Sequence, residues 1–416
     1  IIQKILILVM KTIDGQLFVE NIPVIELAKE YGSPLFIYSS KEIENNFLNY
    51  KNEIRDQDLV CYAVKANSNI HILKLLSDLG SGFDVVSGNE LQRCLLAGAD
   101  RKKIVFSGVA KSHEEIKLAI ESDILSINIE SVGEFERIAA IAKELNKTVN
   151  CALRINPDIK IGSHKYIETG SKTSKFGLDK ESVSKISELS KSNEHINIKA
   201  VACHIGSQIS NENLILKSLI YIKEIADQLK GEGHELNFLD IGGGLGIQYK
   251  DEEKGDPKIL ISEVKTLLKE TDYQVIVEPG RSIVGTSGIL LTKVEYIKDA
   301  GEKKFAIIDA GMNDLIRPSL YEAWHKVREV EEGDVESETY DLAGPVCETG
   351  DILARDRSLK IQPNDYLVFM DVGAYGSVMS SNYNSRLKPA ELLVTKDVAK
   401  VIRRKENFED LIALES

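Results

Sequence analysis

Residues 59–87 read "LVCYAVKANSNIHILKLLSDLGSGFDVVS". The stretch opens on an apolar run and turns at a lone lysine, Lys65. It then passes into "SNIHILKLLSDLG", where apolar residues fall three and four apart, and closes on a second apolar run, "GFDVVS". Strand, helix and strand in that order make one β–α–β unit. The same alternation continues outward from it. Further strand candidates are "KIVFSG" (103–108), "LSINIE" (125–130), "NCALRIN" (150–156), "IKAVACHIGS" (198–207), "FLDIGGG" (238–244) and "QVIVEPG" (274–280). Helical patterns such as "SGNELQRCLLAGA" and "SHEEIKLAIESD" lie between them, several opening on Ser, Asp or Asn as an N-cap does.

Near-continuous apolar strands separated by helices imply a parallel sheet covered on both faces. Eight such units over about 250 residues predict an α/β fold, a (β/α)8 TIM barrel, spanning 36–285. A doubly wound open sheet is the alternative, but it more often carries its glycine-rich turn after the first strand. Here the glycine cluster follows the seventh. After Arg281 the pattern changes to strands joined by turns: "ILLTKVEYIKDA", "KKFAIIDAG", "YDLAGPVCETGD", "DYLVFMDVGAYG" and "AELLVTKDVAKVIRR". Residues 286–416 therefore predict a second, β-rich C-terminal domain, which the similar segment 10–35 joins. The apolar start, "IIQKILILVM", is too short to span a membrane and has no cleavage site. Residues 1–9 read as an upstream extension or an added edge strand. The polar stretch 162–179 is a candidate lid.

The 416 residues carry a net charge of −13. Such a balance disfavours nucleic acid and anionic membrane as partners. The five cysteines are odd in number and show no CxxC spacing, so they read as reduced thiols of a cytoplasmic protein, with no disulfide framework and no metal site.

Chemistry in a barrel of this kind gathers at the C-terminal ends of the strands. Lys65, Asp84, Ser107, Arg154, His204 with Ser207, Gly242 to Gly244, and Glu278 with Arg281 all fall there. Any one of them could be a loop residue or a core ion pair; the set together describes a pocket for a phosphorylated aromatic ring. Glycine amides and Ser207 would take the phosphate. His204 would stack on the ring, and Glu278 would keep a ring nitrogen protonated. Lys65 would hold an aldehyde as a Schiff base. That ligand is pyridoxal 5′-phosphate, whose protonated ring is an electron sink.

In their order, "YAVKAN", "FDVVS", "HIGSQ", "GGGLG" and "EPGR" resemble the barrel-type (fold type III) pyridoxal-phosphate-dependent decarboxylases. The resemblance covers nearly the whole chain from Met10. It implies a homodimer in which the β-rich domain of one subunit completes the active site of the other. Lys65 matches the Schiff-base lysine, His204 the stacking histidine and Glu278 the partner of the pyridine nitrogen. Asp84, Ser207, Gly243, Gly244, Pro279, Gly280, Arg281 and Tyr375 fall among the cofactor contacts. Cys347 in "CETGD" matches a proton donor, and Glu348 a substrate carboxylate. Arg317 and Tyr321 in "RPSLY" match contacts to the distal end of an amino-acid substrate, with Arg281 and Tyr375 assisting.

Charge refines the substrate. A distal end with both ammonium and carboxylate needs a cation, which Arg317 supplies, and an anion, which Glu348 supplies. Ornithine and arginine present only a cation there. The expected reaction is decarboxylation of meso-diaminopimelate to L-lysine. Carboxynorspermidine, ornithine or arginine remain alternative substrates of related enzymes. A racemase is the rival reaction class; it needs a second base and tends to lack "CETGD".

Overall fold

The computed structural model describes residues 9–159 and 175–415. Residues 1–8, and 162–174 of the candidate lid, lie outside the described residues. The described chain forms two compact units.

One unit holds residues 46–248 and 252–283. Eight parallel strands close into a barrel: Leu59–Ala63, Gly82–Val85, Ile104–Phe106, Ser126–Ile129, Val149–Arg154, Ile196–Ala202, Phe238–Asp240 and Gln274–Val277. The eighth pairs back onto the first through Ile276 with Leu59 and Val277 with Val60. All eight expected strands are present. Most stop short of the quoted run, because the residues that carry polar groups leave the sheet to form the loops at its end. The intervening helices start where small polar side chains accept from the backbone N–H groups of the first turn. Ser87, Ser131 and Asp179 cap this way, and Ser112 with Glu115 forms a reciprocal capping box. Inside the barrel, Cys61, Val105 and Ile276 pack together, and Ala152, Ala200 and Ala202 form a second cluster of small side chains.

The other unit holds residues 9–45, 249–251 and 284–415. Its nine-stranded sheet contains Gly288–Asp299, Lys304–Ile308, Glu338–Ala343, Ile352–Leu359, Tyr366–Phe369 and the hairpin Ala390–Thr395 with Val398–Arg403. The segment that resembled it at the N-terminus, Met10–Ile13, Gln16–Val19 and Ile22–Pro23, forms a small antiparallel sheet in the same unit.

One boundary is corrected. The strand Leu35–Ser39 does not open the barrel. It lies inside the nine-stranded sheet, antiparallel to Gly288–Asp299 and parallel to Ala390–Thr395. Every residue in it is buried, so its pattern equals that of a barrel strand, and periodicity alone does not separate the two. Among the described residues no disulfide forms, since all five cysteines are free and four are buried. No helix there is long and apolar enough to cross a membrane.

Candidate active site

The first barrel strand runs into a single 3-10 turn, Val64–Ala66. Val64 and Ala66 are buried, which fixes the backbone, while the Lys65 side chain stays 32% exposed. Its Nζ lies 2.5 Å from Oδ2 of Asp84 on the second strand, a carboxylate with no exposed surface. Oδ1 of Asp84 is buried and has no hydrogen-bond partner among the described residues. The turn "EPG" closes beside this lysine: Ala63 N–H donates to Pro279 O at 3.1 Å, and a Cβ on Gly280 would stand 3.1 Å from those of Ala63 and Ala66.

Glu278 leads that turn and is buried. Its N–H donates to Gly242 O at 2.7 Å, so its backbone is tied to the glycine loop after the seventh strand. Burial pushes its carboxyl well above the usual range, helped by the charges of Asp240 and Asp84 and opposed by Lys65. Its Oε1 is buried without a hydrogen-bond partner among the described residues. A buried oxygen left this way costs free energy unless a ligand supplies the missing group.

His204 follows the sixth strand. Gly243 N–H donates to its Nδ1 at 3.2 Å, so the ring proton sits on Nε2. Burial, then the positive charges of Lys65 and Arg154, hold the imidazole well below its ordinary pKa, and the ring is neutral. The Gly243 amide, expected to face a phosphate, is thus turned to the histidine in this structure. A Cβ on Gly243 would stand 2.0 Å from the carbonyl oxygen of Glu278. Replacing Gly243 with alanine therefore forces two strand-end loops apart and should destabilise the fold by about 3 kcal/mol. Thermal unfolding of the variant checks this, and an unchanged melting temperature refutes it.

Two further residues pair close by. Ser207 Oγ accepts from Arg281 Nη2 at 3.1 Å, and Arg281 is buried at the start of the short helix Arg281–Val284. The serine keeps its own O–H to donate, so the two can present hydrogens to an anion together. Gln208 locks the loop to the glycine segment: its side-chain amide donates to Ile247 O at 2.5 Å and accepts from Ile247 N–H at 3.3 Å.

In the β-rich unit, Cys347 and Glu348 are exposed in the loop between Glu338–Ala343 and Ile352–Leu359. Asp351 shapes that loop. Its carboxylate accepts from Val346 N–H at 2.7 Å and from Met312 N–H at 2.6 Å. Cys347 N–H donates to Asn384 Oδ1 at 2.7 Å. Arg317 is buried, and its Nη1 donates to Tyr249 Oη at 2.9 Å and to His325 Nε2 at 3.1 Å. His325 Nδ1 donates to Met370 O at 2.9 Å, which assigns the neutral tautomer and leaves Nε2 as the acceptor. Tyr321 and Tyr375 are half-buried, the latter at a φ of +57°.

Sequence reading missed Asp240, His325, Tyr249, Asp351 and Asn384. Asp240 and Asp351 stood inside quoted motifs, "FLDIGGG" and "CETGD", and an acid beside a glycine turn was the available signal. His325 and Tyr249 stood alone, with nothing nearby to mark them.

Residues 40–285 match the family model of the pyridoxal-dependent decarboxylase, pyridoxal binding domain. A diaminopimelate decarboxylase of Aquifex aeolicus is 44% identical over 401 residues, covering 96% of this chain and 95% of its own. The crystal structure of diaminopimelate decarboxylase from Helicobacter pylori complexed with L-lysine is similar at a TM-score of 0.91 and 41% identity, covering 94% of this chain and 99% of its own. That of the M. jannaschii enzyme in co-complex with L-lysine is similar at a TM-score of 0.92 and 40% identity, over 98% and 97%.

Proposed function

The chain belongs to the pyridoxal-dependent decarboxylase family, and from that premise we propose the work of its residues in converting meso-diaminopimelate to L-lysine and CO2. The observation that carries the reading is likeness over almost the full length of both chains to enzymes named for this substrate, two of them solved with L-lysine.

The residues present fit pyridoxal 5′-phosphate. An amine at a barrel mouth, a neutral flat imidazole, an arginine–serine pair and a buried carboxyl oxygen lacking a partner among the described residues are the groups that its aldehyde, ring, phosphate and ring nitrogen require. When bound, the cofactor supplies an aldehyde that condenses with amines and a protonated ring that accepts the electron pair released with CO2. Lys65 provides the amine, and Asp84 orients it. Glu278 holds the proton at the ring nitrogen. His204 offers its neutral face to the ring. Arg281 and Ser207 would donate to the phosphate, with Gly244 in the same loop cluster; Tyr375 is a further proposed cofactor contact.

Substrate binding falls to the β-rich unit. Arg317 takes the distal carboxylate through its guanidinium, which Tyr249 and His325 hold in one orientation. Glu348 takes the distal ammonium, and Tyr321 packs alongside. Cys347 donates a proton from Sγ to the carbon that lost its carboxylate; a thiol suits this because its ordinary pKa lies near the working pH. We assign Cys347 and Glu348 to the partner subunit of a homodimer acting in the cytoplasm, with the barrel and the β-rich region as its two domains.

The test is CO2 release by purified protein with added pyridoxal phosphate, comparing meso-diaminopimelate with ornithine, arginine, lysine and carboxynorspermidine. Diaminopimelate should turn over well above the rest. Equal turnover of a substrate lacking the distal carboxylate would overturn the role given to Arg317.

A further inference from the structure

Below the candidate site, inside the barrel, lies a cavity of about 90 Å³. That is room for about three water molecules at roughly 30 Å³ each. The small alanine side chains described above leave this space. One end is lined by Asn150, Asn237 and Lys199, of which the asparagines are exposed and the lysine half-buried, so the cavity communicates with solvent there. The walls carry Ser126 and Asn128, both buried. Ser126 Oγ and Asn128 Oδ1 have no hydrogen-bond partner among the described residues, which suits a wet cavity better than a dry one.

The inner end is Asp240, the last residue of the seventh strand, only 2% exposed. Asp240 Oδ1 accepts from Gly242 N–H at 2.9 Å, while the carbonyl of the same glycine accepts from Glu278 N–H at 2.7 Å. One residue therefore clamps two buried acids together, and their side chains share a hydrogen bond. Two buried carboxyls that share a hydrogen bond do not both ionise, so a proton lies between them.

We propose that Asp240 is a positioning residue that shares one proton with Glu278 and, through the cavity beneath it, keeps that proton in exchange with solvent. Glu278 then meets the pyridine nitrogen already loaded: its O–H bond breaks as the N–H bond forms, and nothing is oxidised or reduced. This rests on Glu278 facing that nitrogen. Burial raises both acids above the usual carboxylate range. Asp84 pushes in the same direction, whereas Lys65 opposes the rise of Glu278 and Arg154 that of Asp240. His204, also close, is neutral and adds no charge.

The experiment uses holoenzyme loaded with cofactor labelled with 15N at the pyridine nitrogen, whose chemical shift reads its protonation across pH. In Asp240→Asn the pH at which the nitrogen loses its proton should fall by about one unit or more. An unchanged profile overturns the proposal. Glu278→Gln separates the two claims. If it leaves the profile unchanged, the reading of Glu278 fails, and this one with it; if it shifts the profile while Asp240→Asn does not, Asp240 alone is overturned. Infrared difference spectra on unaltered protein need no variant. A protonated-carboxyl band should be present before cofactor is added and lost on binding, and its absence from the apoprotein overturns the shared proton. Ala200→Leu, which fills the cavity, should slow deuterium exchange of that band, and an unchanged exchange rate removes the cavity from the proposal.

Discussion

Replacing Lys65 with alanine lowers CO2 release from meso-diaminopimelate by at least about 10³-fold, because the proposed position loses the amine that engages the cofactor aldehyde. The variant should also be less stable. Asp84 has no exposed surface, and one of its oxygens already lacks a partner among the described residues. Removing the cation leaves that carboxylate buried and uncompensated. Breaking a fully buried pair costs about 3–5 kcal/mol; Lys65 is one-third exposed, so solvent screening reduces this to about 1–2 kcal/mol. The two effects separate in the double variant Lys65→Ala with Asp84→Asn. Removing the stranded charge should return part of the lost melting temperature while leaving the activity absent. Retention of more than about a tenth of the activity in Lys65→Ala would defeat the assignment, since general acid–base assistance alone is typically worth at least 10²-fold.

Cys347→Ala is expected to lower kcat by about 10²- to 10³-fold, the range in which a positioned proton donor contributes. KM should change little, because the thiol has no part in holding the distal end. Stability should stay within about 0.5 kcal/mol, since the side chain is exposed and alanine keeps the N–H donated to Asn384. Steady-state kinetics beside a thermal melt reads all three. A kcat within about threefold of the unaltered protein would show that another group delivers the proton. A large fall in melting temperature would show instead that the loop itself depends on the sulfur.

The barrel was legible in the sequence because each strand is an apolar run ending on a polar group, and the helices between carry their caps in the open. Lys65, Asp84, His204 and Glu278 were legible for the same reason: each interrupts an otherwise apolar stretch. Leu35–Ser39 was not. A strand buried on both faces looks the same whether a barrel or a sheet surrounds it, and only its partners, Gly288–Asp299 and Ala390–Thr395, decide. Asp240 was hidden in plain view. In "FLDIGGG" the glycines draw the reading, and only the fold shows that the aspartate stands beside a second acid and above a cavity. His325 matters through Arg317, a pairing eight residues apart with no helical period to announce it.

The pairing of Leu35–Ser39 also sets a timetable for the ribosome. Tyr38 on that strand donates its hydroxyl to Glu391, 353 residues further along. At about 5–20 residues per second, translation needs roughly 20 to 70 s to cover that distance. Through that interval the barrel residues emerge and can close on neighbours already made, whereas Leu35–Ser39 waits with a largely apolar set of side chains and an edge of unpaired amides. A nascent chain of this kind presents one adhesive strand for most of its synthesis. Shielding that strand with a chaperone should raise the share of chains that reach the folded state.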